Sequence, residues 1–265
     1  MPFITANGID IYYELGGRGP RLLYISGSGG DLRNKPNVFA SPLAGRFQVL
    51  SFDQRGLGQT DKPDCDYTMA DYADDAARLL ESLGWSSVPV MGVSFGGMVA
   101  QELALRHPQM VTRLILVCTS SGGAGGASYP LHELAELDQQ ARMETRLVLA
   151  DVRRTDEWRA ANPDRWDELL DMANKAQRDD IDPEGVARQL RARSRHDTWD
   201  RLPNLNTPTL VVGGEYDGIA PPDNLRALQS QIPQAQLHFF AGGHLFLIQD
   251  KTAYPFIIQW LRERI

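Results

Sequence analysis

The sequence has little cysteine: Cys65 and Cys118 lie far apart and form no CxxC pair, so neither a disulfide framework nor a zinc site is suggested. Long apolar runs are missing too, since no segment approaches the ~18 apolar residues of a membrane span. The N-terminus lacks the basic start and apolar stretch of a signal peptide, and a cytoplasmic, reduced setting is the expectation. Positive charge is also scarce. Lys and Arg number 27 against 34 Asp and Glu, a formal net charge of -7, and the pI is about 5.3. That balance argues against a nucleic-acid surface, which relies on clustered Lys and Arg. The nearest approach to a basic run is Arg188, Arg191, Arg193 and Arg195, interleaved with polar residues and followed by Asp197 and Asp200. It reads as a solvated helix face.

What is present is the profile of a soluble globular protein, with 42% hydrophobic and 23% charged residues over 265 positions. Phe3 to Thr5, then Asn7-Gly8, then Ile9 to Tyr13 predicts a β-hairpin with an Asn-Gly turn. Short β-branched runs then alternate with helical periods, the pattern of βαβ units around a mostly parallel sheet. Strands are expected at Leu22–Ile25, Val49–Phe52, Val88–Val93, Leu114–Cys118, Thr209–Gly213 and Gln236–Phe240. Helices are expected near Val38–Leu43, over Met69–Leu83 with Gly84 as its stop, over Phe95–His107, over Pro222–Ile232, and at the end of the chain to Arg264. Cys118, in an apolar run, reads as a small core residue.

Between Ser120 and about Trp199 the character changes. A glycine-rich linker, Gly122 to Gly126, leads into charge-rich helices with no convincing strand. The division is therefore a core of residues 1–121 and 201–265 with a helical insertion at 122–200.

The chemistry centres on Gly92-Val93-Ser94-Phe95-Gly96. Gly-x-Ser-x-Gly alone is a weak signal, but here a strand leads directly into the serine and a helix directly out, which is the turn the motif requires. Residues two before and two after such a serine crowd the turn, and Gly92, Gly96 and Gly97 are small enough. A serine hydroxyl needs a base to take its proton and a carboxylate to hold that base. Of five histidines, His107 ends a helix, His132 and His196 fall in the insertion, and His238 sits within a strand. His244 alone lies just past a strand's C-terminal end, in Ala241-Gly242-Gly243-His244. The loop Gly213 to Pro221 supplies the acid, Asp217, with Glu215 as the alternative.

Serine, acid and histidine thus follow one another at the C-terminal ends of strands, where open α/β sheets bind ligands. Together with Asp53-Gln54-Arg55-Gly56-Leu57-Gly58 and Gly243-His244, these motifs resemble the α/β-hydrolase family over essentially the whole chain. The resemblance implies an α/β-hydrolase fold with the insertion as a lid. It makes Asp53 to Asp61 a scaffold loop, not a phosphate site. In Ser26-Gly27-Ser28-Gly29-Gly30, serine stands where the family's oxyanion loop usually has histidine, and the amides of Ser28 and Phe95 become the implied oxyanion donors.

Ser26 to Arg33, with Tyr67-Thr68-Met69 and Gly92 to Met98, looks diffusely similar to 3-oxoadipate enol-lactonases. Such a relative would want cationic lid residues such as Arg153, Arg154 or Arg159. Trp158, Trp166, Trp199, Met143 and Met172 could line a pocket, although at helical spacing such residues more often pack. The expected function is serine hydrolysis of a small-molecule carboxylic ester or lactone, with no metal or organic cofactor. Hydrolysis of a carbon-carbon bond in a vinylogous diketone by the same triad is the alternative, and a non-catalytic small-molecule receptor a third reading.

Overall fold

The computed structural model describes residues 2–263. Its strands are β1 (Phe3–Ala6), β2 (Ile9–Gly16), β3 (Arg21–Ile25), β4 (Gln48–Phe52), β5 (Val88–Val93), β6 (Val111–Val117), β7 (Thr209–Gly214) and β8 (Gln236–Phe240). Asn7 and Gly8 both take positive φ, 51° and 77°, so β1 and β2 close into the expected antiparallel hairpin. β2 also pairs antiparallel with β4, and the remaining pairings are parallel, in the order β1-β2-β4-β3-β5-β6-β7-β8.

The apolar runs are continuous because the central strands are covered on both faces. Along β6, Leu114 and Leu116 enter the layer formed with α1 (Met69–Ser82) and α2 (Phe95–Arg106). Ile115 and Val117 enter the opposite layer, and later α8 (Phe246–Gln249) and α9 (Ala253–Arg262) pack there. α1 begins with a reciprocal capping box: the Asp71 N–H donates to Thr68 Oγ1 at 3.2 Å, and the Thr68 N–H to Asp71 Oδ2 at 2.8 Å. It stops at Gly84, whose φ is +65°.

Two expectations need correction. In place of one helix near Val38–Leu43, two 3-10 turns form, Val38–Ala40 and Pro42–Gly45. Pro42 has no N–H to carry a helical bond onward, and the Ser41 hydroxyl caps the second turn by accepting from the Leu43 N–H at 3.3 Å. The single terminal helix is split at Asp250, with α9 ending at Arg262. Arg264, the expected last helical residue, lies outside the described residues.

Residues 122–200 contain α3 (Gln139–Ala150), α4 (Asp156–Ala161), α5 (Pro163–Lys175) and α6 (Pro183–Ser194), and no strand. α7 (Pro222–Gln231) follows when the sheet resumes. The insertion leaves and rejoins the core at one point: Gly122 and Asp197 form an isolated bridge, and the Thr198 N–H donates to the Ser121 carbonyl at 2.8 Å.

The arginine run on α6 is not a uniformly solvated face. Arg188 pairs with Asp64 and Glu184, and Arg191 with Glu184 and Asp66. Arg193 points the other way and is only 5% exposed. Its rotation of about 140° from Arg188 follows from 3.6 residues per turn.

Below the sheet's C-terminal edge, Asp53 is fully buried and accepts from the N–H groups of Leu32 (2.7 Å) and Gln59 (2.8 Å), tying two loops together. Beside it, Arg55 Nε and Nη2 each donate to the Asp75 carboxylate at 2.6 Å, with both side chains buried. Removing one member of such a pair strands a buried charge. Arg55→Met should therefore lower the unfolding free energy by about 3–5 kcal/mol, read from the urea midpoint. Arg55→Met combined with Asp75→Leu should recover most of that loss, and additive losses would contradict this account.

Candidate active site

Ser94 sits between β5 and α2 with φ 55° and ψ -116°, a conformation that costs an L-residue on the order of 1–3 kcal/mol. The surrounding contacts enforce it. A Cβ on Gly92 would lie 2.2 Å from the Gly96 carbonyl oxygen, and one on Gly96 would lie 2.2 Å from the Ile25 carbonyl oxygen. Both obstacles are backbone and cannot move aside. The Ser94 N–H donates to the Val117 carbonyl at 2.8 Å, which fixes the turn against β6.

Two backbone donors flank the serine. Phe95 is the first residue of α2, so its N–H has no partner within the helix. Ser28 lies in the loop after β3, where a Cβ on neighbouring Gly27 would sit 3.5 Å from Ser94 Cβ. Neither the Ser28 nor the Phe95 N–H is hydrogen-bonded among the described residues. The Ser28 hydroxyl is likewise buried without a partner. The loop is held from above, because the Gly29 N–H donates to Gln189 Oε1 of α6 at 2.8 Å.

Asp217 and His244 meet on the far side. His244 Nδ1 lies 2.7 Å from Asp217 Oδ2, while Asp217 Oδ1 accepts from the N–H groups of Ile219 (2.8 Å) and Ala220 (2.9 Å). Three bonds thus orient a carboxylate that is 3% exposed. Glu215, the alternative acid, is exposed, and the carboxylate hydrogen-bonded to His244 is that of Asp217. The end of α3 steadies both loops: the His244 N–H donates to the Ala150 carbonyl at 2.7 Å and the Gly218 N–H to that of Leu149 at 2.9 Å.

Cys118 is more than a core residue. It follows β6 with φ 40°, and its sulfur, the Asp217 carboxylate and the His244 ring nitrogen all lie within 4.8 Å of one another. It thereby joins the Ser94 side of the sheet edge to the His244 side. Cys, Asp and His could in composition ligate a metal. Two zinc ligands at ordinary bond lengths and tetrahedral angles, however, stand about 3.3 Å apart, whereas Nδ1 and Oδ2 are at the 2.7 Å of a shared proton.

Burial alone would push the His244 imidazole towards neutrality, but Cys118 and Asp217 act against it and the net direction is upward. The Asp217 carboxylate is the lasting cause, since a thiol carries no charge until it ionises.

The other histidines are placed elsewhere. His107 Nε2 lies 2.7 Å from Asp74 Oδ1 on α1, so its partner is a carboxylate more than a helix end. His238 stacks on Phe256 with centroids 4.3 Å apart. His196 is buried and neither ring nitrogen makes a well-formed hydrogen bond, Ser120 offering the one backbone contact; the sequence does not mark its inward placement, nor that of Gln189, Arg193 or the Cys118 sulfur. Gln189 and Arg193 stand at i, i+4 on one face of α6, which polarity disguised, and His196 follows just past the helix end. Arg153, Arg154 and Arg159 are otherwise engaged: Arg153 with Asp151, Arg154 with the Leu147 carbonyl, Arg159 with Asp156. Met143 is buried, Met172 half-exposed, and Trp199 packs on the core.

A mostly parallel sheet with a strained serine turn and a buried Asp–His pair on later loops defines a class, the α/β hydrolases. The model of the alpha/beta hydrolase fold family matches residues 20–180 and 168–251, and the chain belongs to that family. It is 30% identical over 243 residues to a poly(3-hydroxyalkanoate) depolymerase of Ectopseudomonas oleovorans, covering 91% of this chain and 84% of that protein. It is also 30% identical over 267 residues to the 2-hydroxymuconate semialdehyde hydrolase of Pseudomonas sp. strain CF600, covering 96% and 91%. The crystal structure of the enol-lactonase from Burkholderia xenovorans LB400 superposes with a TM-score of 0.79 at 25% identity, covering 99% of this chain and all of that one. The protein is a hydrolase, and no helix among its described residues is long and apolar enough to cross a membrane.

Gly96→Ala should cost at least about 2 kcal/mol by forcing backbone apart, seen as a fall in Tm of roughly 4–8 °C for a chain of this size. The upward shift of His244 favours folding through the protonated ring. Its contribution is complete below the unfolded value of about 6.5 and is lost as pH rises through the higher folded value. The stability difference between wild type and His244→Gln should therefore shrink as pH climbs above about 6.5; urea titrations at several pH values measure it.

Proposed function

We propose that the protein hydrolyses a small-molecule carboxylic ester or lactone through an acyl-enzyme on Ser94. The observation that carries this reading is the 2.7 Å contact of His244 Nδ1 with an Asp217 carboxylate pinned by two backbone N–H groups. In the neutral ring, which forms above the raised folded value, Asp217 accepts the Nδ1 proton and Nε2 is left as the basic nitrogen. Nε2 takes the Ser94 proton as Oγ attacks the carbonyl carbon, and the Ser28 and Phe95 N–H groups receive the oxyanion. When the tetrahedral adduct collapses, the C–O bond to the leaving group breaks and the imidazolium returns its proton to that oxygen. Water, deprotonated in turn by His244, then releases the acid and restores Ser94. Every proton is accounted for within the triad, and the residues 122–200 serve as the lid. The substrate is a small molecule.

Two observations support the oxyanion assignment. Both N–H groups lack internal acceptors, and Gln189 restrains the loop that bears one of them. The 30% identity to a 2-hydroxymuconate semialdehyde hydrolase favours a second reading, carbon-carbon hydrolysis of a vinylogous diketone by the same residues.

A panel of p-nitrophenyl esters, lactones and a ring-cleavage diketone, assayed with wild type and Ser94→Ala, separates these readings. Ester or lactone turnover should fall by at least about 10³-fold in Ser94→Ala. Equal rates in both proteins would remove Ser94 as nucleophile. Diketone turnover alone would establish the second reading, and saturable binding without turnover would make the protein a receptor.

A further inference from the structure

Gln189 of α6 is fully buried, yet it is polar at a place where a helix ordinarily turns an apolar side chain inward. Its hydrogen-bonding capacity is only half met. An N–H needs an acceptor, so the atom 2.8 Å from the Gly29 N–H is Oε1, and Nε2 is left buried with no partner among the described residues. Burying an unpaired amide donor costs stability, and such a group in a native structure calls for a role beyond packing. A close backbone approach brings Gln189 to Gly29. Gly185 stands one turn earlier on the same face of α6, and a Cβ placed on it would overlap the Gly56 carbonyl oxygen. Glycine inside a helix weakens it, and here it lets α6 lie directly on the loop after β4. Arg188 secures that contact by donating to the Pro63 carbonyl.

The loop that Gln189 reaches has little else to order it. Gly27, Gly29 and Gly30 surround Ser28, and Gly29 takes a φ of +69° with open space where a Cβ would stand, so side-chain packing does not restrain these peptide planes. Among the described residues the one backbone bond within the loop is long, 3.3 Å from the Gly30 N–H to the Gly27 carbonyl. Asp53 holds the loop's far end through the Leu32 N–H at 2.7 Å, and Gln189 holds its middle. The Gly29 N–H lies in the planar unit that joins Ser28 to Gly29. Fixing that plane limits how the preceding one, which carries the Ser28 N–H, can turn beside Ser94.

Direction matters at this donor, because a misplacement of about 1 Å costs on the order of 10²-fold in rate. We propose that Gln189 is a positioning residue of the oxyanion hole: its Oε1 fixes the loop that presents the Ser28 N–H, so the hole is assembled from the core and the insertion together. Phe95 needs no such help, since its N–H is set by the start of α2.

This inference rests on the reading of Ser94 as the nucleophile of an ester or lactone hydrolase. Gln189→Leu removes the acceptor with little change in volume. For the best ester or lactone of the panel, its kcat should fall by about 10- to 100-fold, with KM held within about twofold, since the lost interaction acts on the transition state. A trifluoromethyl ketone with the same acyl chain gives a second readout. Ser94 Oγ adds to its carbonyl carbon, the serine proton passes to His244, and the adduct's oxyanion occupies the hole, so its affinity should weaken by about the same factor as kcat. Amide exchange of residues 27–32, followed by mass spectrometry, should quicken in Gln189→Leu and stay at the wild-type rate in Gln189→Glu, which keeps an acceptor for the Gly29 N–H. Unchanged kcat in folded Gln189→Leu overturns the proposal, as does a rise in KM alone, an unweakened ketone, or equal exchange in the two variants. If Gln189→Leu fails to fold, Gln189→Ser, polar but too short to reach Gly29, carries the same expectations. Wild type without ester or lactone turnover, or Ser94→Ala with full turnover, would overturn the hydrolytic reading and this proposal with it. Full turnover in Gln189→Leu alongside its loss in Ser94→Ala would overturn this proposal alone.

Discussion

The structure depends on one backbone constraint, the positive φ of Ser94 held between β5 and α2. That turn exists because Gly92 and Gly96 let three backbone segments approach to distances that any side chain would forbid. Relaxing it would move the start of α2, and with α2 the apolar layer formed by Phe95, Val99 and Leu103 against the sheet. The strain is therefore paid for by packing spread across the domain. In return the serine is carried on the most rigid part of the molecule, between two elements buried on nearly every side.

The partners of Ser94 reach it by different means. Asp217 and His244 lie on loops after β7 and β8, and each loop is bonded to the end of α3 as well as to its own strand. The insertion thus takes part in holding the pair. Gln189 does the same for the loop bearing Ser28. The helical segment is coupled to all three loops at the strand ends, so displacement of α3 or α6 would be felt as disorder in the charge arrangement below.

Much of the fold was legible because its signals are local. Asn7-Gly8 announces a turn, Thr68 with Asp71 announces a helix start, and apolar runs announce strands buried on both faces. The positions of Ser94, Asp217 and His244 could be read for a similar reason, since each sits just past a strand and topology does the rest. What resisted reading was information carried by direction. Arg193 lies among arginines that face solvent, and only its 140° rotation from Arg188 separates it from them. His196 and Gln189 look like surface residues because polarity is the usual mark of a surface. Cys118 looked like any apolar strand end, and nothing in its neighbours discloses that β6 delivers its sulfur beside an imidazole from the end of the chain. The turns at Val38–Ala40 and Pro42–Gly45 were misjudged because the effect of Pro42 is to divide a helix, and periodicity does not register it.

The root of the insertion has its own consequence. Ser121 and Thr198 are hydrogen-bonded neighbours, and Gly122 bridges to Asp197, so a long helical excursion begins and ends at a single knot on the core. To the sheet, that excursion is equivalent to one tight connection between β6 and β7. The two parts of the chain can consequently diverge at different tempos. The helices between Ser121 and Thr198 can therefore change in length and sequence without changing the order of the strands.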